Sequence, residues 1–106
     1  YKFFEFDALN PNRLVFWDGS MLSIRQCNDF SVVYEYPLSD NVLLNIDYYN
    51  NEMLTYSNGH LYVRDFLNGT LLKDIPYSYD ASYWYNRCLL IDHSIVSFMG
   101  VIYFIN

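Results

Sequence analysis

Few residues of this chain combine the types and the spacing that chemistry requires. Asp92, His93 and Ser94 are the residue types of a hydrolytic triad, but neighbours in a strand point to opposite faces and cannot form the proton relay themselves. No Gly-x-Ser-x-Gly nucleophile motif accompanies them. A lone histidine such as His60, at the start of a predicted strand, is better explained as a hydrogen-bonding group than as a metal ligand. We therefore expect no catalytic residue, no metal site and no cofactor.

The two cysteines, Cys27 and Cys88, lack the Cys-x-x-Cys spacing and the nearby histidine pair of a zinc site. In a strand-rich chain, cysteines of this kind are more often buried free thiols than a disulfide. No signal peptide or membrane helix is visible, and the apolar stretch from Ile95 to Ile105 is too short to span a bilayer. These features favour an intracellular protein, cytoplasmic or nuclear.

The formal net charge of −6 limits the partners of this chain. A sequence-independent nucleic-acid binder needs Lys and Arg to neutralise phosphates, and docking on anionic lipid needs the same residues. We therefore expect no direct nucleic-acid partner and no membrane partner. A basic peptide or protein would be attracted, although the charge is also explained by solubility alone.

Composition predicts an all-β chain. Hydrophobic residues make up 53% and aromatic residues 21% of the sequence, and Tyr and Phe favour strands. With only 4 Gly and 3 Pro, many turns must be formed by Asn and Asp, whose side chains hydrogen-bond the local backbone. The acidic residues are mostly single Asp in such turns, and no pair of them indicates glycosidase-type acid–base chemistry.

The elements that position these residues come from an internal repeat. Residues 22–37 read LSIRQCNDFSVVYEYP and residues 61–76 read LYVRDFLNGTLLKDIP, and the two segments align without a gap at an offset of 61 − 22 = 39. A self-match at a period of roughly 40 residues, built from short strand-like runs, is typical of a repeated β-sheet blade.

The repeat predicts three units: blade 1 at residues 1–38, blade 2 at residues 39–77 and an incomplete blade 3 at residues 78–106. The predicted strands of blade 1 are Lys2–Phe6, Arg13–Trp17, Met21–Gln26 and Ser31–Tyr36. Those of blade 2 are Val42–Tyr48, Met53–Tyr56, His60–Phe66 and Thr70–Ile75. Blade 3 is predicted to have strands within Trp84–Ile91 and at Ser94–Phe98 and Val101–Ile105. Type I′ turns are predicted at Asn58-Gly59 and Asn68-Gly69.

The segment from Leu61 to Ile75 resembles a WD-repeat blade. Asp65 stands at the Asp of the family's Trp-Asp dipeptide, Arg64 replaces the Trp, and the Gly-containing turn and following strand match. The Gly-His dipeptide that precedes the first strand in the family is missing. The resemblance implies a partial, divergent β-propeller of four-stranded antiparallel blades. Two and a half blades cannot close a ring, and the sequence begins at Tyr1, so we expect the rest of the propeller to be supplied in cis or in trans.

The resemblance also implies a binding face, because the loops before the first strand and after the second lie together in WD-like propellers. It places there the acidic, amide and aromatic residues Asp18, Asp40, Asn41, Asn58, Tyr79, Asp80, Tyr83 and Trp84. An acidic and aromatic face would suit a basic peptide. The alternative is that the aromatic members pack between blades 2 and 3.

We therefore expect a non-catalytic scaffold that mediates protein–protein interactions within a multi-subunit assembly. The alternative is the substrate-recognition propeller of a ubiquitin-ligase adaptor. A propeller enzyme is the least favoured interpretation, because it would need a cluster of His or carboxylate residues in the first strands. Apolar and aromatic residues such as Phe4 and Leu43 stand there, and Glu5 and Asp47 are the only carboxylates nearby.

Overall fold

The computed structural model describes residues 3–76, 89–91, 94–97 and 100–104, and every regular element in them is a β-strand. Two four-stranded sheets and one three-stranded sheet are present, each antiparallel with strands that pair in chain order. The first sheet contains Phe3–Phe6 (β1), Arg13–Trp17 (β2), Met21–Gln26 (β3) and Val32–Pro37 (β4). The second contains Val42–Asp47 (β5), Glu52–Ser57 (β6), His60–Asp65 (β7) and Leu71–Pro76 (β8). The third contains Leu89–Ile91 (β9), Ser94–Ser97 (β10) and Gly100–Phe104 (β11).

The all-β architecture and its four-stranded antiparallel sheets are confirmed. Strands β2 and β3 have the predicted bounds, and β4 and β8 each begin and end one residue later than predicted. Side chains that alternate between a more buried and a less buried face are typical of strands. In β2, Val15 and Trp17 are buried, while Leu14 and Phe16 are only partly buried. The assignment of the sheets to propeller blades stays a prediction.

The first and second sheets share one backbone plan. The first residues of corresponding strands are separated by the same offset of 39 in all four cases (42 − 3, 52 − 13, 60 − 21 and 71 − 32). The last hairpin of each sheet also contains an irregularity at the same place, between Ile24 and Arg25 in one and between Val63 and Arg64 in the other. Bulges of this kind are specific features of a fold. The spacing seen in the sequence is therefore also the spacing of the strands.

The loops after β3 and β7 repeat their hydrogen bonds as well. The Phe30 amide donates to the Gln26 carbonyl oxygen at 2.9 Å, and the Gly69 amide donates to the Asp65 carbonyl oxygen at 2.8 Å. Both Phe30 and Gly69 have a positive φ, of 61° and 78°. The two loops thus require a left-handed residue at the same position, which is glycine in only one of them.

The predicted turn at Asn58-Gly59 is confirmed, because both residues have positive φ angles, 48° and 82°, as a type I′ turn requires. The prediction for Asn68-Gly69 is wrong. Only Gly69 has a positive φ there, and the loop between β7 and β8 is longer than two residues. In place of a two-residue turn, the Gly69 amide donates a hydrogen bond to the Asp65 carbonyl oxygen.

Two cores hold the three sheets together. The core between the first and second sheets takes from the first the side chains of Val15, Trp17, Leu22 and Ile24. From the second it takes Leu43, Ile46, Met53 and Phe66. The core between the second and third sheets consists of Leu44, Leu54, Leu61, Val63, Ile75 and Leu90. The second sheet therefore lies in the middle of a stack and is covered on both faces.

One buried-thiol prediction is wrong. Cys27 is a free cysteine, as expected, but it is exposed. Its counterpart in the second repeat unit is Phe66, which is buried in the core between the first and second sheets. Cys27 occupies the equivalent position on the uncovered side of the first sheet, and this explains its exposure. Cys88, Asp92 and His93 lie outside the described residues.

Candidate interaction surfaces

Four of the residues predicted to bind a partner lie at one end of the first two sheets. Asp18 is in the β2–β3 turn, Asp40 and Asn41 are in the β4–β5 connection, and Asn58 is in the β6–β7 turn. Antiparallel pairing brings these three connections to the same end. The amide of Leu38 donates to the carbonyl oxygen of Ser20 at 2.9 Å. This hydrogen bond links the β4–β5 connection to the β2–β3 turn.

The side chains of Asp18 and Asn41 stabilise their own connections. Asp18 Oδ1 accepts the amides of Met21 and Ser20, both at 2.9 Å, and these bonds, led by the one from Met21, lower the pKa of Asp18. Asn41 donates to the carbonyl oxygen of Ser39 at 2.9 Å and accepts from the Thr55 hydroxyl at 3.0 Å. A role of these side chains in binding stays a prediction.

The remaining members of the predicted face divide into two groups. Asp40 and Asn58 are exposed and have left-handed φ angles of 59° and 48°, which Asp and Asn tolerate better than other residues. The aromatic loop with Tyr79, Asp80, Tyr83 and Trp84 lies outside the described residues.

Sequence reasoning did not find the outer aromatic face, which we define as Phe4, Phe6, Leu14 and Phe16 of the first sheet. Strand pairing sets Phe4 opposite Phe16 and Phe6 opposite Leu14. The rings of Phe4 and Phe16 meet edge to face with centroids 6.2 Å apart. The Phe4 and Phe6 side chains remain 59% and 61% exposed. Large apolar side chains grouped on one sheet face are typical of a contact surface.

The second sheet shows what the same positions do when they are covered. Leu43 is the counterpart of Phe4 and Met53 the counterpart of Leu14, and both are fully buried against the first sheet. The outer aromatic face is therefore the uncovered version of a surface that already receives a sheet elsewhere in the chain. Its sequence signal was available, because the internal repeat aligns Phe4 with Leu43.

Tyr36 joins the first sheet to the second through a close contact. Its hydroxyl donates to the carbonyl oxygen of Phe66 at 2.5 Å. A Cβ atom at Gly69 would lie 2.9 Å from Cε2 of the Tyr36 ring, so only glycine leaves room for the ring in this arrangement. Burial, with a smaller contribution from the charge of Asp65, raises the pKa of Tyr36.

The first sheet has no equivalent space for a ring at the position that corresponds to Gly69. Phe30 is the counterpart of Gly69, and the Arg25 guanidinium carbon lies 4.6 Å from the centroid of its ring. Arg25 also donates to the Phe30 carbonyl oxygen at 3.1 Å, as Arg64 does to that of Gly69 at the same distance. The first sheet therefore presents an aromatic ring where the second accepts one.

A second surface is the strand-edge cleft, which has a volume of about 580 Å³. The described residues that line it are Glu5, Phe6, Ala8, Asn45, Ile46, Asp47, Tyr48, Tyr49, Asn50, Leu90 and Ile91. Two are acidic and none of them is basic. Glu5 and Asp47 stand out in the sequence as carboxylates among apolar residues, but the cleft forms only where strands far apart in the chain meet.

Tyr48 links the first and second sheets at the cleft. Its hydroxyl donates to Glu5, and its ring meets Phe66 edge to face with centroids 5.4 Å apart. Burial first, and then the hydrogen bond and the negative charge of Glu5, raise the pKa of Tyr48. The neighbouring Tyr49 is 79% exposed at the rim. An acidic cleft rimmed by tyrosine suits a positively charged side chain.

In the part of the chain that the structure describes, no group of three or more His, Cys, Asp or Glu residues is placed to hold a metal ion. Within the same residues, no helix has the length and apolar character needed to cross a bilayer. A scan of protein-family models finds none that matches the chain, and no curated protein matches it.

Proposed function

We propose that this chain is part of a β-propeller-type, non-catalytic scaffold that mediates protein–protein interactions within a multi-subunit assembly. One observation carries the proposal, namely that corresponding side chains of the first and second sheets each pack against the next sheet. The core residues Val15, Leu22 and Ile24 have as repeat counterparts Leu54, Leu61 and Val63, which form the next core. Propellers are built of successive four-stranded sheets, each of which packs against its neighbours through corresponding side chains.

The exposed surfaces support the interaction role. Phe4 and Phe6 are more than half exposed on a sheet face, and aromatic residues are enriched at the centres of protein interfaces. A face of this kind is costly to leave in water, because apolar area in contact with water is unfavourable by roughly 25 cal/mol for each Å². The proposed use of this face is contact with another protein surface.

The proposed partners include a basic peptide or protein. The net charge of −6 favours the approach of a cation, and the strand-edge cleft adds Glu5 and Asp47 beside Tyr49. The predicted loop face, with Asp40 and Asp80, is the other proposed site for the same kind of partner.

The scaffold proposal is tested by the native mass of the natural polypeptide, followed by cross-linking within the particle it forms. The proposal expects a particle that contains further protein chains in fixed proportion, with cross-links from those chains to lysines of this one, such as Lys73. A natural polypeptide that occurs only as a single chain with no stable partner would contradict it.

The choice between the two acidic surfaces is tested separately. Binding of an Arg-rich peptide is measured for the natural chain and for two variants, Asp40→Lys/Asp80→Lys and Glu5→Gln. If the loop face binds, the first variant weakens binding at least about tenfold, because each reversal replaces an attraction with a repulsion. If the cleft binds, Glu5→Gln weakens it and the loop variant changes only the salt dependence. Unchanged binding in both variants would refute both sites.

A further inference from the structure

A second cavity, which we call the Arg13 pocket, lies between the first and second sheets and has a volume of about 410 Å³. It is lined by residues of the β1–β2, β5–β6 and β7–β8 loops and by the strand residues Arg13, Ile24 and Tyr34. These loops lie at the end of the sheets opposite to the turns that contain Asp18 and Asn58. Cavities of roughly 300–1,000 Å³ are typical of sites for small ligands. The Arg13 pocket therefore has room for a small ligand or for the end of a peptide.

Four polar side chains of the Arg13 pocket have no partner within the part of the chain that the structure describes. Arg13 is partly buried, and its guanidinium makes no hydrogen bond and no ion pair with a described residue. The side chains of Asn10, Tyr34 and Asn51 make no hydrogen bond with a described residue either. Together they offer the N–H donors of a guanidinium, two amides and a hydroxyl to a ligand. The pocket therefore has a hydrogen-bonding capacity that the described fold does not use.

The charge of the Arg13 pocket is positive where a ligand would enter. Among the described residues that line it, Arg13 is the only basic one and Asp7 the only acidic one. The Asp7 carboxylate is buried and stabilises the β1–β2 loop, because Oδ1 accepts the amides of Leu9 at 2.8 Å and of Asn10 at 3.1 Å. Arg13 forms no ion pair with it. The charge of Arg13 is therefore available to an anion.

The fold itself does not require an arginine at this position. Arg13 and Glu52 are the first residues of the second strand in their sheets, and the internal repeat aligns them. Glu52 is buried and carries the opposite charge. One backbone plan thus accepts either charge at this point. The guanidinium is therefore a property of this pocket and not of the repeat.

The rest of the lining includes apolar side chains at two depths. Ile24 and Phe66 are buried, so they form the inner wall of the Arg13 pocket. Leu9 and Leu67 are 49% and 42% exposed, so they lie at its rim. A ligand in the cavity would remove apolar area from water against these side chains, which is favourable. The pocket therefore matches a ligand that combines an apolar body with an anionic group.

We infer that the Arg13 pocket binds a carboxylate that is carried on an apolar or aromatic group. A planar guanidinium pairs with a carboxylate through two parallel hydrogen bonds, and amides and hydroxyls in the same cavity can donate further ones. A phosphate matches less well, because the described lining has one cation and the net charge of −6 opposes a dianion. The inference goes beyond the proposed function and concerns a site other than the acidic strand-edge cleft, although Tyr48 lines both.

Two sources can supply such a carboxylate, namely a free aromatic acid and the last residue of a partner chain. The probes are 4-fluorophenylacetate and the peptide acetyl-Gly-Gly-4-fluorophenylalanine with a free terminal carboxylate. Fluorine NMR of the probe measures the binding of each to the natural chain. Tighter binding of the small acid would support the first source, and tighter binding of the peptide would support the second.

The main test compares each probe with its uncharged amide. The acid is expected to bind at least about tenfold more tightly, because only the acid pairs with the guanidinium. Arg13→Gln should remove this preference, and Arg13→Lys should keep part of it, because lysine retains the charge and loses the two-bond geometry. The matched control is Arg25→Gln, which removes an arginine of the same sheet outside the pocket and should bind like the natural chain.

A second pair of variants tests the pocket without changing Arg13. Leu67→Glu adds a negative charge at the rim and should weaken binding of the acid at least about fivefold more than binding of the amide. Leu72→Glu adds the same charge at an exposed leucine outside the pocket and should leave both affinities unchanged. Circular dichroism shows whether every variant is folded.

Equal affinities for acid and amide in the natural chain would overturn the inference, and so would an unchanged preference in Arg13→Gln. Displacement of the acid by an equal concentration of inorganic phosphate would overturn the choice of a carboxylate. These titrations do not depend on the native mass of the natural polypeptide, so the carboxylate site and the scaffold proposal can fail independently.

Discussion

The first and second sheets have the same strand spacing, the same hairpin irregularity and the same loop hydrogen bonds, yet their side chains lie in different surroundings. Among the described residues, the second sheet is packed on both faces, whereas the first is packed on one. Phe4 is 59% exposed and its counterpart Leu43 is fully buried. The repeat therefore determines the backbone, and the position of a sheet in the stack determines which of its faces contribute to stability.

The largest difference is expected where counterparts differ most in burial. Leu43→Ala should lower the free energy of unfolding by about 2–5 kcal/mol, because it leaves a cavity in a closed core. Phe4→Ala should lower it by no more than about 1 kcal/mol, since it removes only an exposed edge-to-face ring contact. Urea unfolding of the two variants and of the natural chain measures both losses. Equal losses would mean that the first sheet is covered as completely as the second.

The next effect concerns the left-handed loop position. Gly69→Ala should cost about 2 kcal/mol or more, because it combines an unfavourable φ of 78° with a Cβ that contacts Tyr36. In a Tyr36→Ala background the same change should cost only about 1 kcal/mol, since the contact is gone.

The first sheet supplies the matched control for this position. Phe30→Gly relieves a left-handed φ but removes the contact with Arg25, so stability should change by less than about 1 kcal/mol. If Gly69→Ala proved equally harmless, the two sheets would not be joined by Tyr36 in the way described.

A smaller and more local effect is expected at Asn45, which attaches the third sheet. Its side chain accepts the Leu90 amide at 2.6 Å and donates to the Leu90 carbonyl oxygen at 3.3 Å, in the manner of a neighbouring strand. Asn45→Ala should cost about 1–3 kcal/mol and speed hydrogen exchange at Leu90 far more than at Ile24 in the first sheet. Asn45→Asp keeps the acceptor and should have a weaker effect on that amide. Uniform acceleration in all sheets would contradict the local role.

The smallest effect at neutral pH involves the hydroxyls of Tyr36 and Tyr48, whose removal by substitution with Phe should cost about 1 kcal/mol or less each. Both pKa values are raised in the folded chain, mainly by burial. The stability that these groups contribute is complete below the unfolded pKa of about 10 and is lost as the pH rises above it, because the unfolded chain releases these protons first. Unfolding followed from pH 8 to pH 11 should show the decline, and the double Phe variant should reduce it. An unchanged decline in the variant would assign it to other groups.

Much of the local structure could be predicted from the sequence. Strands β2 and β3 follow from alternating apolar residues bounded by turn residues, and Asn58-Gly59 specifies its turn because both residues accept a positive φ. Asn68-Gly69 misled the prediction, since the same dipeptide sits in a longer loop that uses only the glycine.

The surfaces were harder to predict, because they depend on contacts between residues distant in the chain. Cys27 is exposed because no described sheet covers it, and Gly69 is in contact with the Tyr36 ring because the first sheet packs there. Neither feature can be read from nearby residues in the sequence. The strand-edge cleft needed β9 beside β5, and the side-chain bonds of Asn45 to Leu90 have no local sequence signal. The outer aromatic face could have been found by asking which repeat partners of buried residues remain apolar without a neighbouring sheet.

The central claim is that the three sheets stack face to face, and nuclear Overhauser effects between protons of the natural chain test it most directly. We predict strong effects between the Tyr36 ring and the α protons of Gly69, and between the Leu90 amide and the Asn45 side chain. Strand-pairing effects within each sheet without these contacts between sheets would contradict the stack and every surface inferred from it.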